Sequence, residues 1–168
     1  MKIYDLICME SLNTELNKRL GFSGVLSNNE VDIFEKIPNS KKRYIFLSND
    51  ENQIKKAIRD EFCIGICFKD NLVIKKSLEQ IKDYEKIVFI SVSELILTKK
   101  TELPKILYKI RSVLKYAHIY KAEIAVVTFA KEPWQLLSAA QLYIISEFIY
   151  SDEKIAKGTV SSLGRFFE

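Results

Sequence analysis

The run Phe62–Phe68, FCIGICF, admits few folds. It is apolar throughout, so as a strand it has no face to turn to water and must be covered on both sides. That predicts a parallel sheet with helices packed on each face. Comparable runs recur at Ile3–Met9, Ser23–Ser27, Arg43–Ser48 (RYIFLS), Lys86–Ser91 (KIVFIS) and Glu123–Phe129 (EIAVVTF). Stretches of helical periodicity separate them. Alternation of this kind belongs to an α/β fold with right-handed crossovers.

The helices are expected at Ser11–Leu20, where Leu12, Leu16 and Leu20 share a face ahead of Gly21, and at Glu30–Ile37, ended by Pro38. A further helix runs from the N-cap residues Ser48, Asn49 and Asp50 through Arg59, and another over Leu72–Ile81. A short turn of helix at Ser93–Leu97 precedes a long one. Pro133 suits the first position of a helix reaching about Ile149, apolar enough to predict burial. Ser151, Asp152 and Glu153 cap the last helix. With 168 residues and no Pro/Ser-rich linker or repeat, the chain is read as one domain, 1–168. An eight-stranded barrel typically takes ~250 residues. The expected architecture is therefore a shortened or incomplete TIM-like barrel of about six parallel strands, or an open sheet.

Composition narrows the setting. No apolar run reaches the roughly 18 residues of a membrane span. The start, MKIYDLICMES, reads as a first strand and not as a signal peptide, so a cytoplasmic protein is expected. Cys63 and Cys67 would share one face of a strand, roughly 13 Å apart, too far for a disulfide. Three cysteines and one histidine lack the spacing of a zinc site.

Charge is concentrated in one place. Leu103, Ile106, Leu107, Ile110, Val113, Leu114 and Ala117 trace one helical face. Around them stand Lys99, Lys100, Lys105, Lys109, Arg111, Lys115 and Lys121, with Glu102 the single acid, so residues 99–121 net +6 in a chain that nets +4. Lysines and arginines at i, i+4 repel one another by a few tenths of a kcal/mol per pair, which a polyanion opposite would relieve. A solvated surface helix is the plainer explanation, with Tyr108 and Tyr116 covering the core edge.

Catalytic motifs are scarce. There is no Gly-rich phosphate loop, GxSxG, HExxH or CxxC, and the only histidine, His118, ends the basic helix. The loops after the strands carry Glu10, Glu30, Asp50, Asp70, Glu94 and Glu132, each where a helix N-terminus favours an acid.

The order of several short motifs resembles a known family. Ile90-Ser91-Val92-Ser93 is followed by Leu95–Leu97, then by Arg111-Ser112-Val113-Leu114-Lys115-Tyr116-Ala117-His118-Ile119-Tyr120, by Val126-Val127-Thr128 and by Ala130-Lys131-Glu132-Pro133-Trp134. Nearer the start stand Tyr4-Asp5-Leu6 and Leu20-Gly21-Phe22-Ser23-Gly24-Val25, with a weaker echo in Lys56-Ala57-Ile58-Arg59. This sequence of motifs resembles the archaeal ribonuclease P protein component 3, homologue of the eukaryotic thirty-kilodalton subunit, whose fold is similar to that of the PHP phosphoesterases. The chain departs from the family in lacking one βα unit between Phe68 and Lys86. It has Leu136-Leu137-Ser138-Ala139 where members often carry Leu-Arg-x-Pro, and it lacks the histidine clusters of PHP enzymes.

The resemblance implies a non-catalytic subunit of an RNA enzyme that removes 5′ leaders from precursor tRNA. It implies partnership with the ribonuclease P RNA and with protein component 2, in a pair that can double to a 2:2 heterotetramer. Precursor tRNA would be met only indirectly. No catalytic residue, metal or cofactor of this chain's own is implied, Mg2+ belonging to the RNA. The expected RNA contacts are Arg111 and Lys115 on the basic helix and Lys131 in the loop after the last strand, with Arg43, Arg59 and Lys69 as supporting positions near strand ends. Two alternatives stay open: a metal-dependent phosphoesterase using Asp5, Glu10, Asp50 and Asp70, and a stand-alone interaction domain with a basic face.

Overall fold

In a computed structural model of the chain, residues 1–9, 14–39 and 41–167 are described, apart from the side chains of Thr14 and Glu94. The elements run β1 (Tyr4–Leu6), α1 (Thr14–Leu20), β2 (Gly24–Leu26), β3 (Val31–Phe34), β4 (Arg43–Leu47), α2 (Glu51–Ala57), β5 (Cys63–Cys67), α3 (Lys75–Asp83), β6 (Ile87–Ser91), α4 (Ser93–Leu97), α5 (Leu103–Ile119), β7 (Glu123–Val127), α6 (Ala139–Tyr150) and α7 (Glu153–Ser161). The fold is α/β. Strands β3 to β7 form a five-stranded parallel sheet in chain order, and β1 pairs in parallel with β2. Glu10 and Leu12 fall outside the described residues.

Sequential strand order decides where the helices go. Each right-handed crossover returns to the neighbouring strand on the same side, so the helices gather on one face. Tyr44, Phe46, Ile66, Val88, Ile90 and Val126 meet α2, α3, α5, α6 and α7 there. The expectation of helices on both faces fails for this reason. The other face holds Ile45, Cys67, Ile87, Phe89 and Val127 and is covered by Tyr4 and Leu6 of β1, Leu26 of β2, Phe129 and Leu163.

The small sheet adjoins the large one. Phe129 N donates to Leu6 O at 2.9 Å and Cys8 N to Ala130 O at 2.8 Å, so the chain leaving β7 runs beside β1. At the other side the turn Ser27–Glu30 carries β2 into β3, with Glu30 N and Val31 N both donating to Ser27 O. The Glu30 carboxylate accepts from Ser27 N and from Ser27 Oγ, each at 2.7 Å.

Three further expectations are corrected. Where a helix is expected at Glu30–Ile37 the chain forms a strand, Val31–Phe34: Val31 and Ile33 are β-branched and alternate with Asp32 and Phe34. They pair in register with Arg43 and Ile45. Cys63 and Cys67 do not share a face. The register shifts between Tyr44 and Ile45, placing Gly65 opposite Ile45, and this bulge sends Cys63 to the helical side and Cys67 to the other. None of the three cysteines forms a disulfide. The helix expected from Pro133 is instead a single 3₁₀ turn, Pro133–Gln135. Ser138 then starts α6 with its own capping box, Gln141 N donating to Ser138 Oγ at 3.2 Å and Ser138 N to Gln141 Oε1 at 2.8 Å.

Gly65 is fixed by its surroundings. A methyl group there would strike the Ile87 carbonyl oxygen and lie 2.6 Å from the Phe89 ring. Gly65→Ala should lower stability in urea unfolding by about 3 kcal/mol or more, whereas Gly158→Ala, in α7 with nothing within 4 Å of an added methyl, should raise it by about 0.5–1 kcal/mol.

Candidate nucleic-acid interface

Helix α5 is built as its periodicity predicts. Ile110, Val113, Leu114 and Ala117 are buried, Ile106 and Leu107 are half-buried against the same core, and Leu103 is half-buried. Pro104 sits in the first turn, where a missing N–H is harmless. Lys121, at φ 56°, takes the left-handed position usually given to glycine. There Lys121 N donates to His118 O and Ala122 N to Ala117 O.

Lys105, Tyr108, Arg111 and Lys115 follow one another at steps of three or four and point to solvent. Lys99, Lys100 and Lys121 at the helix ends are exposed as well, and Lys109 is half-buried. Among the described residues seven ion pairs form: Arg19–Glu15, Lys42–Asp32, Lys55–Glu51, Lys69–Glu35, Lys82–Asp83, Lys157–Glu153 and Arg165–Glu123. None involves a cation of the 99–121 segment. All seven paired cations lie elsewhere in the chain, and the exposed cations of this helix face water without an ion pair among the described residues.

The aromatic residues divide. Tyr116 is half-buried beneath the Lys75 ammonium, 4.0 Å from the ring centroid, and covers the core edge as expected. Tyr108 does not, being 74% exposed. Arg111 spreads its guanidinium over Phe148 of α6, 5.7 Å from the ring centroid, and Nη2 approaches the Phe148 carbonyl oxygen at 3.4 Å. Phe148 and Ile144 are 60% and 61% exposed, so α6 is not the buried helix its apolar sequence predicts. A helix apolar all round leaves one stripe outside when it is packed on one side only.

The other expected RNA contacts lie elsewhere. Lys131 is exposed in the loop after β7, its backbone N donating to Gln135 Oε1 at 2.7 Å, near Trp134, which is 64% exposed. Lys69 follows β5 at the same, C-terminal end of the sheet and is paired with Glu35 at 3.1 Å. Arg59 follows α2, and Arg43 begins β4 with its guanidinium 5.7 Å from the Phe166 ring centroid. Both belong to the opposite end. Arg43 lines an open hollow of about 360 Å³ together with Glu61, Glu85, Lys86 and Arg165, a surface of mixed sign. The six residues thus occupy both ends of the sheet and the outside of α5.

No protein-family model matches the chain, and neither does any curated protein. The site therefore rests on its own geometry.

Among the described residues the expected carboxylates do not assemble. Asp50 caps α2, accepting from Asn52 N at 2.8 Å and Gln53 N at 3.2 Å. Asp70 is exposed in the turn after β5, at φ 53°. Among the described residues no three His, Cys, Asp or Glu side chains converge. Asp5 is wholly buried: Oδ1 accepts from Leu6 N at 2.8 Å and Thr128 N at 2.7 Å, and Oδ2 from Thr128 Oγ1 at 2.6 Å. Burial pushes its acid up to about 6, against the lowering effect of the Thr128 hydroxyl, the Thr128 N–H and the Leu6 N–H. Burial likewise pushes the Cys8 thiol up to about 11, although Lys131 acts the other way.

Asp5 makes stability depend on pH. Its acid strengthens from about 6 folded to 3.8 unfolded, so between those values the folded chain binds the extra proton. Its contribution is full below pH ~4 and falls by about 3 kcal/mol as pH rises through ~6. Asp5→Asn keeps the geometry and should abolish that slope in urea titrations at several pH values. Asp5→Ala strands the Leu6 and Thr128 donors and should lower stability by about 3 kcal/mol throughout.

Proposed function

We propose that this protein is a non-catalytic subunit of an archaeal-type ribonuclease P, similar to protein component 3, acting in the cytoplasm on 5′-leader removal from precursor tRNA. The observation that carries the proposal is the outward face of α5, where a run of cations stands without a carboxylate partner among the described residues. A folded RNA brings phosphates together, and cations that replace their counterions gain the release of those ions. A helix face without base-reading geometry suits A-form RNA, recognised by backbone and shape.

The shortened barrel belongs to the same proposal. Sequential parallel strands, helices on one face and β1 hydrogen-bonded beside residues 129–130 support a barrel-like sheet closed by the β1–β2 pair. Lys131 and Trp134, exposed beyond the C-terminal end of that sheet, would add a second RNA contact. The catalytic chemistry, with its Mg2+, would remain the RNA's. Protein component 2 would be the protein partner, and precursor tRNA would be met through the RNA.

The test is reconstitution: ribonuclease P RNA, component 2 and precursor tRNA, with and without this chain. Leader cleavage should rise only when both proteins are present. Replacing Arg111 and Lys115 together by alanine should flatten the salt dependence of RNA binding by about two in log–log slope while leaving unfolding within about 1 kcal/mol. Absence of stimulation, together with metal-dependent phosphoesterase turnover by the isolated chain, would refute the proposal.

A further inference from the structure

Tyr108 is the most exposed large apolar side chain among the described residues. It stands one helical turn from Lys105 on one side and from Arg111 on the other, with Lys115 a turn beyond. The Ser112 hydroxyl turns back to the Tyr108 carbonyl oxygen at 2.9 Å, so it neither covers the ring nor reaches out. Arg111 in turn lies over Phe148, a second exposed ring supplied by α6. Ring, guanidinium and ring therefore occupy one stretch of surface across α5 and α6, flanked by cations that have no acidic partner among the described residues.

A solvated helix has no use for an uncovered aromatic ring, and phosphate neutralisation alone needs none. Flat π surfaces set among cations suit unpaired bases, which stack on aromatic and guanidinium planes while the lysines take the neighbouring phosphates. A duplex hides its base faces and offers the platform nothing to stack. We infer that Tyr108, Arg111 and Phe148 form a stacking platform for unpaired nucleotides of a single-stranded RNA segment, with Lys105 and Lys115 on the flanking phosphates. This deepens the RNA-binding proposal and rests on it.

The experiment is fluorescence anisotropy with the full chain, using a labelled unstructured RNA of about 10 nucleotides and a duplex of the same length. Tyr108→Ala should weaken single-strand binding on the order of tenfold and duplex binding by less than about twofold. Tyr108→Phe keeps the ring and should stay within about twofold of the wild type for both. Ile144→Ser removes an exposed aliphatic group one turn from Phe148 and should change neither. If Tyr108→Ala alters both RNAs alike or neither, or if Ile144→Ser weakens the single strand as much, the platform is overturned and the RNA-binding proposal stands. Wild-type protein that binds neither RNA overturns both.

Discussion

The carboxylate of Asp5, sealed from water, holds the first strand to the segment that follows the last. It takes three donors, two of them from Thr128, 123 residues away in the chain. Hydrogen bonds to a charged group contribute roughly 1.5–3 kcal/mol each, and here they offset only part of the desolvation, which still raises the acid to about 6. Beside this bond Phe129 is held at φ 48°, a conformation unfavourable for a bulky side chain. It persists because Phe129 N donates to Leu6 O and Ala130 N to Thr128 Oγ1. Without that junction the inner face of the large sheet would lose the cover of Tyr4, Leu6 and Phe129.

A sheet closed over in this way gives α5 a firm base. Its apolar stripe is spent on Ile110, Val113, Leu114 and Ala117, so the outer face is free to carry charge. Like charges at i, i+4 are tolerable because the core contacts outweigh a few tenths of a kcal/mol per pair. The same division leaves α6 with Ile144 and Phe148 outside, and Arg111 joins the two helices at their exposed edge.

Much of this was legible in the sequence, and the exceptions have physical causes. The runs at Cys63–Cys67, Ile87–Ser91 and Glu123–Val127 announce themselves because central parallel strands are apolar on both faces. Val31–Phe34 is an edge strand with only Val31 fully buried, and its short VDIF pattern between Glu30 and Pro38 also fits one turn of helix. The bulge at Gly65 has no periodic signal, although a glycine inside a strand is a hint. The apolar stripe of α5 was plain, but Tyr108, expected at the core edge beside Tyr116, lies opposite that stripe at the centre of the basic face. The pairing of Asp5 with Thr128 spans nearly the whole chain. Its trace is one acid in an otherwise apolar first strand.

The most direct test of the central claim, that α5 is the face turned to RNA, is lysine-reactivity footprinting by mass spectrometry on the protein with and without ribonuclease P RNA. The account predicts that Lys105 and Lys115 lose reactivity in the complex, while the ion-paired Lys55 and Lys157 on other helices keep theirs. Equal protection of all four, or protection confined to Lys55 and Lys157, would contradict it.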